Sequence, residues 1–264
     1  MRYAIRRLTL LAAAALCASA AQAPAVTLAA STEHTTEWQY LPAGGLDLTV
    51  LIPPPPEANT QAAADDLDEV LALQRTRTKA ELSLADGDTR RSVFRFADVI
   101  GDAFNKERLP ETDAFFDRLG REGEKSVSAA KAFWKRARPY TVSSKVEPGI
   151  VTGRKSPSYP SGHATFAYLS AVILSEMFPE MRSRIYARAE AFARGRVVGG
   201  VHFPSDVAAG KISGIVIAAS MLENPQFRMD LARATKEARS ALGLPPLPVN
   251  TQERLYAIPR IGVN

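Results

Sequence analysis

Cysteine, histidine and strand-like patterning are all scarce in this chain. Its 264 residues include one cysteine, Cys17, and three histidines, His34, His163 and His202. A lone cysteine excludes an intrachain disulfide framework, and with so few histidines any imidazole chemistry must trace to one of them. No stretch of useful length alternates apolar with polar residues, and no internal repeat is present, so neither a sheet nor a repeat array is expected. Beyond the N-terminus the longest apolar runs, around "AYLSAVIL" and "ISGIVIAASML", fall short of the ~20 residues of a membrane-spanning helix. They read as core helices, and no spanning segment is expected in the mature chain.

The N-terminus has a different character. Arg2, Arg6 and Arg7 precede the apolar "LTLLAAAALCASA", the pattern of a secretory signal peptide over residues 1–20. Cleavage after Ala20 is favoured over Ala23, because Pro24 would follow the later cut. A lipoprotein role for Cys17 fits poorly, since Leu16 is too large for the residue before such a cysteine. Losing residues 1–20 removes three arginines and no acid, which leaves +2 of the formal +5 and no thiol. That balance gives no basis for a nucleic-acid partner, and the destination implied is periplasmic or secreted.

Residues 21–60, with "PAGG" and "IPPPP", read as an extended arm. A helical domain is expected over 61–243, followed by a Pro-rich tail over 244–264. Within the domain, Leu67, Val70 and Leu71 keep helical spacing, although Gln74 takes the next place on that face. Val93, Phe96, Ala97, Ile100 and Phe104 form a second stripe, and Pro110 opens a helix carrying Phe115, Phe116 and Leu119. The expected class is all-α: one helical bundle, with a buried helix pair carrying the site at its N-termini.

Several cations sit awkwardly in these patterns. A helix over 126–138 puts Lys131 and Arg138 at the edge of its apolar stripe and points Lys125 and Arg136 the opposite way. Snorkelling side chains at a core boundary would suffice to explain the first two. Arg196 is harder to dismiss, because it falls on the inward line of Met181, Ile185, Ala189 and Phe192. A buried charge costs several kcal/mol unless something anionic meets it.

Two helix starts each carry a histidine. Ser161 is a suitable N-cap in "PSGH", with His163 in the first turn of an apolar helix; such a terminus favours anions. His202 precedes Pro204 and a second apolar helix, and Asp206, four residues on, can hold the imidazole N–H. Either histidine alone would pass as a capping residue. A metal bound by His163, His202 and Asp206 is an alternative, opposed by three cations that would repel a divalent ion. A phosphate site would use all of these groups.

"KAFWKRARP" (131–139), "PSGH" (160–163) and "RVVGGVHFPSD" (196–206) resemble, in order and spacing, the three-part signature of the type-2 phosphatidic acid phosphatase superfamily. "SYPSGH" and the signal segment are similar to its class A bacterial non-specific acid phosphatases. The resemblance implies that Lys131, Arg138, Arg196 and the backbone N–H groups of Ser161 and Gly162 bind the phosphoryl oxygens. It further implies that His202 is the nucleophile, oriented by Asp206, and that His163 protonates the leaving group and then activates water. No metal or other cofactor is implied. The substrates would be phosphomonoesters of broad range, with phosphotransfer to alcohols as a second activity and with homo-oligomers, for which arm and tail could supply swapped contacts. Two positions depart from the pattern: Gly195 stands where serine is usual, and Ala164 where threonine is common. A lipid phosphate or pyrophosphate phosphatase and a vanadate-dependent haloperoxidase share this signature and remain alternatives.

Overall fold

A computed structural model describes residues 38–151 and 156–248. The expected signal segment, Cys17, His34, the start of the arm and the end of the tail lie outside the described residues. Among those described, every regular element is a helix. In chain order they are α1 (Leu48–Leu51), α2 (Gln61–Thr76), α3 (Lys79–Gly87), α4 (Ala97–Ile100), α5 (Pro110–Trp134), α6 (Pro139–Val142), α7 (Gly162–Met177), α8 (Arg182–Val198), α9 (Pro204–Glu223) and α10 (Pro225–Ala241). The all-α expectation is met.

At the centre of the bundle two apolar helices meet: α7 is buried along most of its length and α9 along the face that meets it. They approach closely because α9 has glycine where it faces α7. A Cβ at Gly210 would lie 2.6 Å from the Ser161 carbonyl oxygen, and one at Gly214 would lie 2.6 Å from that of Thr165. Any side chain there would push the helices apart. The Ser161 N–H donates to the Asp206 carbonyl oxygen at 2.9 Å, which ties the two helix starts together. α9 has 20 residues and is long and apolar enough to cross a membrane by length and composition, contrary to the sequence expectation; half of that window is buried inside the protein.

Around this pair, α8 packs on α7, and α5 on α7 and α10. The stripe from Val93 to Phe104 is buried as expected, but not as one helix. A 3₁₀ turn over Val93–Phe96 runs into the four-residue α4, and Gly101 at φ 131° ends it. Gln74, the polar residue on the α2 stripe, accepts from the Glu147 N–H at 2.8 Å and donates to the Lys145 carbonyl at 3.0 Å. It ties the loop backbone to the helix.

The described part of the arm is built into the core. Tyr40, Leu41, Leu48 and Ile52 are buried. The buried Glu122 carboxylate accepts from the N–H groups of Gln39, Tyr40 and Leu41, and the Tyr40 hydroxyl donates to Asp230 at 2.7 Å.

Candidate active site

The expected helix over 126–138 is replaced by α5, which starts at Pro110 and stops at Trp134, four residues before Arg138. Lys135 adopts the left-handed conformation (φ 51°, ψ 28°) and reverses the chain. Lys131 therefore remains helical and buried, whereas Arg138 leaves from extended backbone ahead of Pro139. Helical projection also misplaced Arg136. Beyond the turn it faces inward, donating from Nη1 to Asp206 Oδ1 and from Nη2 to Asp66 Oδ2, each at 2.6 Å.

Lys131, Arg138, Gly162, His163, Arg196 and His202 line one cavity of about 310 Å³. Thr89, Arg91, Glu124 and Tyr140 complete much of its wall, and the sequence reading had none of these four. Arg91 and Glu124 form an ion pair at the rim. The start of α7 is as expected: the Ser161 hydroxyl accepts from the Ala164 N–H at 3.3 Å. Because the Ser161 N–H is already bonded to Asp206, Gly162 is the member of that pair that lines the cavity.

Asp206 is fully buried and uses both oxygens. Oδ1 takes Arg136; Oδ2 accepts from the Phe203 N–H at 2.9 Å and the Ser158 hydroxyl at 2.5 Å, and lies 3.2 Å from His202 Nδ1. On the other side of the ring, His202 Nε2 is 2.9 Å from Arg138 Nη1. A guanidinium only donates, so Nε2 must accept, and the neutral ring carries its hydrogen on Nδ1, toward Asp206. Burial, then the fields of Arg138, Lys131, Arg196 and Arg136, hold His202 well below the usual histidine range.

His163 places Nε2 3.0 Å from the Thr89 carbonyl oxygen. A carbonyl only accepts, so Nε2 bears the hydrogen and Nδ1 is the basic nitrogen. Burial first, and then Arg196, push this histidine well below its ordinary value too. Lys131 donates to the carbonyls of Pro157 and Ser158, at 2.5 and 3.0 Å; burial, followed by the charge of Arg138, lowers it to about 7.

Arg196 is 4% exposed, and its Nε and Nη1 have no hydrogen-bond partner among the described residues. Burial lowers it to about 10. The other buried arginine of α8, Arg188, is fully engaged by Asp88 and Asp98. The difference sets Arg196 apart, since an unpaired buried guanidinium costs several kcal/mol. Among the described residues no group of three or more His, Cys, Asp or Glu side chains could hold a metal ion.

The two departures from the motif lie away from the cavity. A Cβ at Gly195 would meet the Ala85 side chain at 3.2 Å, so a side chain there points at α3. Ala164 is fully buried with its methyl toward Gly210, at the α7–α9 contact.

The helical bundle gathers three buried or half-buried cations and two histidines around one cavity at the starts of α7 and α9, a setting that favours an anion. Residues 124–230 match the PAP2 superfamily, and the chain belongs to it, in the branch that holds the bacterial non-specific acid phosphatases. The sequence is 31% identical over 194 residues to the non-specific acid phosphatase of Salmonella typhi, covering 70% of this chain and 78% of that one. It is 29% identical over 222 residues to the non-specific acid phosphatase of Salmonella typhimurium, covering 81% and 89%. Among solved structures, a bacterial vanadium-dependent iodoperoxidase shares the fold, with a TM-score of 0.52 at 17% identity over 66% of this chain and 52% of that chain.

Proposed function

We propose that the protein is a periplasmic or secreted acid phosphatase that hydrolyses phosphomonoesters of broad range, without a metal, through a phosphohistidine on His202. The observation that carries this reading is the buried Arg196, two of whose nitrogens have no partner among the described residues, in the wall of the cavity that His202 also lines. The names of the relatives support the reaction class.

The residues divide the work as follows. Lys131, Arg138 and Arg196 surround the phosphoryl group and stabilise the charge spread over its oxygens in the transition state. As a phosphoryl oxygen accepts from Arg138, Nε2 of His202 is released and attacks phosphorus. The P–N bond forms as the P–O bond to the leaving group breaks, and His163 supplies the proton that the departing alkoxide takes. His163 then removes a proton from water, which attacks phosphorus and frees Nε2. Burial and Arg196 hold His163 below its ordinary value; the negative charge of a bound phosphoryl group offsets Arg196 and raises its proton affinity. Asp206 keeps the hydrogen of His202 on Nδ1 throughout.

The test is hydrolysis of a panel of soluble phosphomonoesters across pH, with and without chelator, beside His202→Ala. Turnover that survives chelator and disappears in the variant, while vanadate still binds, supports the reading. Loss of activity with chelator and recovery with zinc or magnesium would overturn the metal-free mechanism. Greater activity on micellar lipid phosphate would move the assignment to a lipid phosphatase, and peroxide-dependent bromide oxidation with vanadate would move it to a haloperoxidase.

A further inference from the structure

Arg136 belongs to none of the groups that line the cavity, yet it pairs with two buried carboxylates beside His202. Its guanidinium bridges two buried carboxylates, Asp206 at the start of α9 and Asp66 on α2, with N–O distances of 2.6 Å to each. Nη1 also donates to the Ser205 hydroxyl at 2.7 Å, and the guanidinium carbon sits 4.2 Å from the centre of the Phe203 ring. Asp66 in turn accepts from the Ser205 N–H at 3.0 Å. This set of contacts fixes Arg136 behind Asp206, on the side away from the phosphoryl group.

We propose that Arg136 is a positioning residue for phosphoryl transfer: it clamps Asp206 from behind and cancels its charge, so that the carboxylate orients His202 without drawing a second proton onto the ring. The proposal rests on the phosphatase reading above. Its force comes from a difference between the cations. Arg138, Lys131, Arg196 and Arg136 all disfavour a charged His202. The first three line the cavity, and their charge is offset when a phosphoryl group binds there. Among the described residues the Arg136 side chain is engaged by Asp206, Asp66, Ser205 and Phe203, outside the cavity, so its charge persists beside the pair in the substrate complex.

The remaining groups around the pair do not substitute for it. Ser158 and the Phe203 N–H are neutral donors to Oδ2. Tyr159, near Asp206, is pushed up to about 12 by burial and stays neutral. His163, which senses His202, is itself neutral in the empty site and can only add positive charge once it is protonated at work. Asp66 brings a second negative charge toward the pair, held in check by Arg136 alone among the ion pairs it makes.

The experiment compares pH profiles of kcat and kcat/KM for nitrophenyl phosphate in the wild-type protein, Arg136→Gln, Arg136→Lys and Asp66→Asn. Both Arg136→Gln and Asp66→Asn break the same ion pair, but only the first removes the cation beside Asp206. In Arg136→Gln the acid limb of kcat, which reports the substrate complex, should move up by about one pH unit. That shift is an approximately tenfold loss on the acid side. The limb of kcat/KM should move less, because the empty cavity keeps its other cations. Asp66→Asn should leave the acid limb in place or move it down, and Arg136→Lys should return it toward the wild-type position.

If Arg136→Gln and Asp66→Asn lower the rate by the same factor at every pH with an unmoved limb, Arg136 is only a structural staple and the proposal is wrong. Arg136→Met, which preserves the bulk over Phe203, repeats the test should glutamine not fold. Nuclear magnetic resonance titration of His202 in the protein saturated with inorganic phosphate, which leaves Nε2 without a covalent bond, reads the same shift without turnover. Absence of wild-type hydrolysis would therefore overturn the phosphatase reading while the titration still decides the role of Arg136.

Discussion

Nη1 of Arg138 lies 2.9 Å from Nε2 of His202, while the opposite ring nitrogen lies 3.2 Å from Asp206. The imidazole is held between a donor and an acceptor, which fixes its tautomer before any substrate arrives. On the mechanism proposed above, phosphate binding would release Nε2 for attack as Arg138 exchanges it for a phosphoryl oxygen.

Arg196 should separate stability from activity. Replacing it with methionine removes a buried guanidinium that has no partner on two of its nitrogens. The phosphate-free variant should melt no lower than the wild-type protein, since an uncompensated buried charge is destabilising. Its kcat/KM should fall by about 10²–10³, the scale for losing one donor to transition-state charge. Calorimetry with and without phosphate, beside steady-state kinetics, checks both halves: the stabilisation by phosphate should largely vanish. A variant that melts far lower without phosphate would show that Arg196 is structural.

Lys131 gives the site a reason to prefer acid. Its ammonium is lowered to about 7, mainly by burial. The group is charged below that value and loses its proton as pH rises through it, so anion affinity should weaken above about pH 7. His202 and His163, both held low, do not oppose activity in mild acid by capturing protons in the empty site. A fall in kcat/KM on the alkaline side is expected, and Lys131→Arg should carry that limb to higher pH because a guanidinium stays charged. An alkaline limb that does not move in the arginine variant would assign it to another group.

The two histidines depress stability in acid for the same reason. Their folded values lie below the unfolded value of about 6.5, so the unfolded chain takes up protons that the empty folded site refuses. The phosphate-free protein should therefore lose stability as pH falls below about 6.5, and bound phosphate should recover more of it at pH 5 than at pH 7. Thermal melts at several pH values read this directly; melting temperatures that rise toward acid would contradict the burial of neutral imidazoles.

Gly210→Ala tests whether close approach of α7 and α9 builds the site. The added methyl would lie 2.6 Å from the Ser161 carbonyl oxygen and 2.8 Å from the Ala164 methyl. The helices must separate, at a cost of about 1–3 kcal/mol for overpacking. The shift also strains the Ser161 N–H to Asp206 bond, so turnover should fall by more than the loss of folded protein accounts for. Activity per folded molecule equal to wild type would place the catalytic geometry elsewhere.

Much of this site is legible in the sequence because helical periodicity is a strong signal. Arg196 stood out against four apolar neighbours on one line, and each histidine marked a helix start with a capping residue or proline beside it. What periodicity could not give was the end of α5. Pro139 suggested a stop at Arg138, but the left-handed residue is Lys135, a position where glycine or asparagine would have been the recognisable cue. That turn carries Arg136 from the outward face to Asp206. Ser158, Thr89 and Arg91 reach the site from loops, where spacing carries no information about contact, whereas Glu124 lies two turns before Lys131 on α5 and was open to helical projection. The glycines of α9 gave a usable sign, since two lie four residues apart within an apolar helix.

The covalent intermediate is the most direct test of the mechanism. Wild-type protein and His163→Asn are mixed with excess phosphomonoester, quenched in base to preserve a phosphoramidate, and mapped by mass spectrometry. One phosphoryl group should be found on the peptide at His202, more abundant in His163→Asn if that variant slows hydrolysis of the intermediate, and absent from His202→Ala. Turnover in His202→Ala, or phosphate carried on any other residue, would contradict nucleophilic attack by His202.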